Sequence, residues 1–245
     1  MDYRKYQPTW MEEIRCAGIS LLFSLFAAWI LYRNPWGVLL VAVIYPFCRN
    51  NYIKQHLQQR EKQLLLQFSD TIQSVTAALL GGFSVENAWK EAERELKELH
   101  GENAYMTKEL RQINSGISVN QPVEKLLYEF ALRSGCEDIL DFSEVFLFAK
   151  RSGGNFAAIM QNTSARIREK IEVEQEIDTA VAGRKMEQKV MNIVPIGLLA
   201  YLNLTSSDFL QPLYGNLFGA CVMTFSFAAY LGELTLSKKM MDIRI

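Results

Sequence analysis

Long apolar stretches near both ends of the chain frame a charged middle region. From Cys16 to Tyr32 there is no charged residue, and large aliphatic and aromatic residues occupy nearly every position instead of one helix face. This pattern predicts a membrane-spanning helix. The helix is expected to end at Arg33, Asn34 and Pro35, because proline disfavours helix at the residue before it.

A second apolar segment runs from Trp36 to Cys48 and has only 13 residues. By itself, this length also fits a helix buried in a globular core. Its position, three polar residues after the first apolar stretch, favours the return arm of a membrane hairpin. A retained first span is favoured over a cleaved signal peptide, because the apolar run is long and no small-x-small cleavage site follows it.

A second pair of spans is predicted after Val190, since no charge occurs before Asp208 and none between Asp208 and Glu233. The resulting prediction is an all-α protein with four transmembrane helices in two hairpins that flank a cytoplasmic domain of helix hairpins. Its boundaries are an N-terminal segment at 1–15, hairpins at 16–48 and 190–232, the helical domain at 49–189 and a C-terminal tail at 233–245.

The positive charges beside the predicted spans set their orientation. All of them except Arg33 fall on one side of a four-span arrangement, and the positive-inside rule then makes both termini and the middle domain cytoplasmic. Aromatic residues near the span ends are predicted to anchor at the membrane interface; they are Tyr3, Tyr6, Trp10 and Trp36. The predicted spans contain no ionisable Asp, Glu, Lys or Arg, which argues against a transporter or proton pump.

The middle region has helical periodicity and a single proline, Pro122, and we expect about five helices there. The first is predicted from Ile53 to Leu80, with one apolar stripe. That stripe consists of Leu64, Phe68, Ile72, Val75 and Leu79.

A glycine-serine pattern occurs twice, 34 residues apart, and predicts two helix corners. In the first copy Gly82 ends a helix and Ser84 caps the next one. In the second copy Gly116 and Ser118 take these roles, and Gln121 has capping-box spacing from Ser118. A tetratricopeptide array is excluded, because its characteristic positions are missing and only two copies exist.

A third corner is predicted at Gly153, Gly154 and Asn155. A glycine pair before a helix could also cradle a phosphate. The segment lacks the Gly-Lys-Ser/Thr of a P-loop and any preceding strand, so a helix corner is favoured.

The last helix of the middle region, predicted at 156–189, is densely charged. Its narrow apolar seam consists of Ile167, Ile171, Val173, Ile177 and Val181. Most of its surface is therefore either solvated or in contact with a charged partner, and Arg184 and Lys185 are the candidate contact residues. Pro195, further along, is expected to kink a helix.

Composition narrows the possible functions. The net charge of −1 does not indicate a nucleic-acid-binding protein. The four cysteines lie far apart without a C-x-x-C pair, which favours isolated buried thiols over a zinc site. The two histidines, His56 and His100, are expected to be solvated, and a histidine-based catalytic dyad is improbable. We expect no catalytic site, no metal and no cofactor.

The order of these features resembles the type II secretion F family, whose members are platform proteins of type II secretion systems and type IV pili. The closest resemblance is to TadB-like proteins of tight-adherence (Tad) pilus assembly, over roughly Gln67 to Ile245. The segments that carry it are LLGGFSVENAW (79–89), INSGISVNQPVEKL (113–126), FAKRSGGNFAAIMQNTSARIREK (148–170), EIDTAVAGRKMEQKVMNIVPIG (176–197) and the closing KKMMDIRI.

Two positions depart from the family pattern. Glu187 replaces an expected small residue, and Lys150 and Arg151 replace a glutamate that secretion-type members carry near the glycine corner. The second departure points to the Tad branch.

The resemblance implies a non-enzymatic, multi-pass protein of the bacterial inner (cytoplasmic) membrane. Such a protein contacts membrane lipid, a hexameric cytoplasmic ATPase, a TadC-like sister platform protein and pilin, and forms homo- or hetero-oligomers without nucleic acid. It couples the ATPase to pilin extraction and filament assembly. Two alternatives stay open: a membrane-bound enzyme, and a four-span sensor or scaffold that presents its helical domain to a signalling partner.

Overall fold

The computed structural model describes residues 3–4, 8–31, 41–152, 155–205 and 217–241, and every regular element within these ranges is an α-helix. The prediction of an all-α protein is therefore confirmed. The helices are α1 (Trp10–Leu31), α2 (Val41–Leu80), α3 (Val85–His100), α4 (Tyr105–Ser118), α5 (Val123–Ser134), α6 (Glu137–Ser152), α7 (Phe156–Thr205) and α8 (Leu217–Met241).

The prediction of a multi-pass membrane protein is wrong, because no helix of the described residues combines the length and apolarity needed to cross a bilayer. A bilayer requires about 20 consecutive apolar residues. Part of the predicted second span, residues 36–40, lies outside the described residues.

The chain forms two compact units. The first comprises Met1–Gln7 and Ile53–Val173, and the second comprises Pro8–Tyr52 and Glu174–Ile245. The helical domain predicted at 49–189 thus differs from the first unit at both ends. Tyr3 and Arg4, in the N-terminal segment predicted at 1–15, also belong to this unit.

The first unit has an aromatic core. The ring centroids of Phe68 on α2 and Phe142 on α6 are 5.2 Å apart, edge to face, and Phe146 lies 6.1 Å from Trp89 on α3. Edge-to-face pairs of this kind add about 0.5–1.5 kcal/mol beyond the area they bury. The predicted α2 stripe is confirmed: Leu64, Phe68, Ile72 and Val75 are buried, and Leu79 packs against the core.

The described residues between 53 and 189 form six helices where about five were predicted. The additional break falls at Gly101, whose positive φ of 84° ends α3. Its amide donates to the Lys97 carbonyl at 3.0 Å. Consecutive helices then pack as pairs, α3 with α4 and α5 with α6.

Side-chain hydrogen bonds tie each of these helix pairs together. Asn114 on α4 donates to the Trp89 carbonyl at 3.1 Å and to the Glu93 carboxylate at 2.6 Å, both on α3. Lys150, near the end of α6, donates to Glu124 in the first turn of α5 at 2.8 Å. The helix pairs are therefore positioned by polar contacts as well as by the apolar core.

In the second unit, α1 and α2 are joined by an ion pair between Glu13 and Arg49, with 3.5 Å between Oε1 and Nη2. The Tyr230 hydroxyl on α8 donates to the Asn192 carbonyl on α7 at 2.7 Å. Large apolar side chains of this unit are exposed on both of these later helices. They include Met191, Ile193, Leu198, Tyr201 and Leu204 on α7, and Phe218 and Phe225 on α8.

Candidate functional site

The first predicted corner is confirmed in detail. Gly82 has a left-handed φ of 85°, and its amide donates to the Leu79 carbonyl at 3.1 Å. The Phe83 amide donates to the Ala78 carbonyl at 3.0 Å. This pair of bonds is the Schellman motif that ends helices at a glycine. Ser84 then caps α3 by accepting a hydrogen bond from the Asn87 amide at 3.3 Å.

The second predicted corner has the same geometry at a different residue. Asn120, with φ of 60°, occupies the position that Gly82 holds in the first corner. Its amide donates to the Ile117 carbonyl at 3.0 Å, and the Gln121 amide donates to the Gly116 carbonyl at 3.0 Å. The turn therefore lies four residues, about one helical turn, after the glycine that the repeat indicates.

Gly116 and Ser118 consequently lie inside α4 and do not form the turn. The Ser118 hydroxyl donates to the Asn114 carbonyl at 2.9 Å instead of capping α5, and Pro122 holds the N-cap position of that helix. A Cβ atom at Gly116 would lie 2.7 Å from both methyl carbons of Leu126. The glycine thus permits the close approach of α5 to α4.

At the third corner, Gly153 and Gly154 lie outside the described residues. Asn155 caps the start of α7, because its side-chain Oδ1 accepts a hydrogen bond from the Ala158 amide at 3.2 Å. Its carbonyl also accepts from the Ile159 amide at 3.1 Å. The predicted helix start at this position is confirmed.

The remaining predicted residues all lie within α7. Pro195 is an interior residue, and the helix continues beyond it to Thr205. Arg184 is exposed, and the Nζ of its neighbour Lys185 donates to the Asp178 carboxylate at 3.1 Å. Arg184 and Lys185 are therefore neighbours on α7. The two described corners lie elsewhere in the chain, between α2 and α3 and between α4 and α5.

Sequence reasoning missed a buried polar cluster formed by Tyr3, Glu109 and Arg133. Glu109 on α4 is only 1% exposed. Its Oε1 accepts a hydrogen bond from the Tyr3 hydroxyl at 3.0 Å, and its Oε2 accepts one from Arg133 Nη2 on α5 at 2.7 Å. A buried carboxylate is stable only if charged or polar donors replace its lost hydration. Here Arg133 is the charged donor and the Tyr3 hydroxyl is the polar one.

The N-terminal segment enters this cluster through its backbone as well. The Tyr3 amide donates at 3.0 Å to the carbonyl of Arg133, in the last turn of α5, where carbonyls have no partner within the helix. The Tyr3 ring also meets Tyr105 edge to face, with 6.0 Å between centroids. Tyr3 is therefore 5% exposed, and its predicted role as a membrane-interface anchor is replaced by burial in the helical unit.

Burial raises the pKa of the Tyr3 phenol above its ordinary value of 10.0, and the adjacent Glu109 carboxylate raises it further. Burial disfavours the charged phenolate, and the carboxylate repels it. The phenol is therefore protonated at neutral pH and acts as a hydrogen-bond donor to Glu109.

An open cavity of about 560 Å³ adjoins the cluster. Its lining residues are Tyr3, Lys108, Glu109, Arg111, Gln112 and Ser115. The sequence carries one signal for this site: Glu109 lies on the apolar stripe of α4 together with Met106, Leu110 and Ile113, all of which are buried. A charged residue at such a position indicates a buried, partnered group.

Two expectations about thiols and histidines also change. The side chains of Cys16 and Cys48 form a hydrogen bond, so these two thiols are not isolated. Burial raises the pKa of the Cys16 thiol, and the neighbouring Cys48 thiol raises it further. Burial raises the pKa of the Cys136 thiol to about 11. His100 is half-buried, not fully solvated, and its Nε2 lies 2.7 Å from the Asp70 carboxylate.

Comparisons of the chain with protein-family models, with curated proteins and with solved structures found no match. The resemblance to the type II secretion F family therefore stays a prediction from the sequence.

Proposed function

We propose that this chain is a non-enzymatic platform protein of a Tad-type pilus or type II secretion-like machine, in which it couples a hexameric ATPase to filament assembly from pilin. The family resemblance of residues 67–245 supports this proposal. The paired helices α3–α4 and α5–α6, with an apolar core and polar ties, are a suitable framework for binding other proteins.

The observation that carries the proposal is the surface of α7. This helix is continuous for 50 residues, and between Glu174 and Lys189 its charged side chains are exposed or half-buried. Glu174, Glu176 and Asp178 come first in this segment, and Arg184, Lys185 and Lys189 follow, with Glu187 among them. Clusters of exposed charge favour recognition of a partner with complementary charge.

The exposed apolar side chains of the second unit support further protein contacts. On α7, Leu204 is 74% exposed, and on α8, Phe225 is 77% exposed. Contiguous apolar exposure marks interaction surfaces, whereas single exposed residues need no explanation. A sister platform protein and pilin are the partners that we propose for these faces.

The experiment that tests the ATPase contact is charge reversal at Arg184 and Lys185. The double variant Arg184→Glu/Lys185→Glu should lose co-purification with the secretion ATPase of the same organism and should abolish filament assembly. Lys185→Glu removes the ion pair with Asp178, but both side chains are exposed, so the fold should be kept.

The matched control is Lys90→Glu/Arg94→Glu on α3, which reverses two exposed positive charges on a different helix. This control should bind the ATPase as the unmodified chain does. Retained ATPase binding and normal filaments in the Arg184 and Lys185 variant would contradict the proposed contact. Failure of the unmodified chain to bind the ATPase would contradict the function itself.

A further inference from the structure

Cys16 on α1 and Cys48 on α2 lie opposite each other in the second unit, where their thiols form a hydrogen bond. A further hydrogen bond joins the side chains of Glu12 on α1 and Tyr52 on α2. Cys16 lies four residues after Glu12, and Cys48 lies four residues before Tyr52. The two helices are therefore antiparallel here, and about one helical turn separates the two contacts on each helix.

An ion pair fixes the same register. Glu13 and Arg49, with 3.5 Å between Oε1 and Nη2, lie between the other two contacts along both helices. If one helix moved along the other by a turn, the ion pair and both hydrogen bonds would be lost together. The helix packing therefore holds the two sulfur atoms next to each other.

The two thiols differ in exposure, and this difference determines which of them a dissolved molecule can reach. Cys16 is only 5% exposed, whereas Cys48 is half-buried. Burial also raises the pKa of the Cys16 thiol, so that little of it is thiolate at neutral pH. An external reagent therefore meets Cys48 first, and the group next to Cys16 is Cys48 itself.

We propose that Cys16 and Cys48 are a redox-active thiol pair, which a small-molecule disulfide such as oxidised glutathione converts into an intramolecular disulfide between α1 and α2. The Cys48 thiolate attacks one sulfur of oxidised glutathione, which breaks the S–S bond and releases one glutathione thiolate. The Cys16 thiolate then attacks the Cys48 sulfur of the mixed disulfide and releases the second glutathione thiolate. The cysteine pair is oxidised, the glutathione disulfide is reduced, and the two protons that the cysteines lose go to the two glutathione thiolates.

The geometry restricts this chemistry to one pair of cysteines. The sulfur atoms of a disulfide are about 2.05 Å apart, so thiols that are already in hydrogen-bond contact need only a short approach. The other two cysteines lie elsewhere: Cys136 is buried in the first unit, and Cys221 is exposed on α8. They serve as internal references for a buried thiol and for an exposed one.

The test is mass spectrometry of the folded full chain after incubation with oxidised glutathione, followed by alkylation of the remaining thiols in urea and digestion with trypsin without reductant. Cleavage after Arg15, Arg33 and Arg49 places Cys16 in peptide 16–33 and Cys48 in peptide 34–49. These two peptides should be recovered from the monomer as a disulfide-linked pair, and Cys221 should carry glutathione. Recovery of Cys16 and Cys48 as alkylated thiols, or a disulfide of either one with Cys221 or with a second chain, would overturn the proposal.

Serine variants test the order of the two steps. Cys16→Ser should carry glutathione on Cys48 at least about ten-fold more often than the unmodified chain, because no adjacent thiol displaces it. Cys48→Ser should leave Cys16 without glutathione, since Cys16 is shielded by burial. The matched control Cys221→Ser should form the same linked peptides as the unmodified chain. Glutathione on Cys16 in Cys48→Ser, together with none on Cys48 in Cys16→Ser, would overturn the proposed order, and the test on the unmodified chain applies even if a variant fails to fold.

Discussion

Replacing Arg133 with methionine would remove the guanidinium that donates a hydrogen bond to the buried Glu109 carboxylate. Methionine keeps much of the apolar stem of the arginine, so the change acts mainly through the lost charge and hydrogen bond. Removing one partner of a buried ion pair costs about 3–5 kcal/mol. Arg133 is 37% exposed and Tyr3 still donates to Glu109, so we expect a lower cost of about 2–3 kcal/mol.

A double-mutant cycle separates this pair from general packing effects. Glu109→Gln keeps the shape of the side chain and removes its charge. Glu109→Gln removes the charge that Arg133 neutralises. The loss of unfolding free energy in the double variant should therefore be smaller than the sum of the two single losses, by at least about 1 kcal/mol. The free energy of unfolding would be measured by urea titration with far-UV circular dichroism.

The control for this cycle is Arg94→Met. This substitution removes an exposed arginine on α3 that pairs with Glu91, also on α3. Exposed pairs contribute little, so this variant should stay within about 0.5 kcal/mol of the unmodified chain. An Arg133→Met variant that is as stable as the Arg94→Met control would refute the reasoning, because Glu109 would then not depend on Arg133.

Two other predictions concern glycine packing and pH. Gly116→Ala should destabilise the chain by about 1–2 kcal/mol in the same urea assay, because Leu126 must move. The control Gly183→Ala meets no atom within 4 Å, so it should be neutral or stabilise by up to about 1 kcal/mol. Equal effects of the two substitutions would contradict this reasoning. Burial opposes ionisation of Glu124, but the hydrogen bond and charge of Lys150, a backbone hydrogen bond and the charge of Arg151 together outweigh burial and lower the pKa of that carboxyl below 4.5. The stability that this pair contributes is therefore present above pH 4.5 and is lost as the pH falls below it. Between about pH 6 and pH 3, the free energy of unfolding should fall by about 0.5–1 kcal/mol less in Lys150→Met than in the unmodified chain.

The features that the sequence predicted well are those governed by neighbouring residues. The buried stripe of α2 follows from helical periodicity, and the Gly82 corner follows from the left-handed conformation that glycine allows. The second corner was displaced because Gly116 serves a steric purpose, namely contact with Leu126, while Asn120 adopts the left-handed conformation. Glycine and asparagine both tolerate this conformation, so the repeat alone did not identify the turn.

The membrane prediction is wrong because no described helix is both long and apolar enough to cross a bilayer, although the apolar composition near the ends of the chain was evident. The contact of Tyr3 with Glu109 was unpredictable for another reason: it joins residues 106 positions apart, and no local pattern encodes such a pairing. Only the charge of Glu109 within an apolar stripe indicated that a partner exists.

The long separation between Tyr3 and its acceptor has a consequence for biosynthesis. The tyrosine is made first, and Glu109 follows 106 residues later. At about 5–20 residues per second, the ribosome needs about 5–20 seconds to supply the carboxylate. During that interval the Tyr3 side chain cannot make its contact with Glu109, and it is open to proteases and to any chaperone that meets nascent chains.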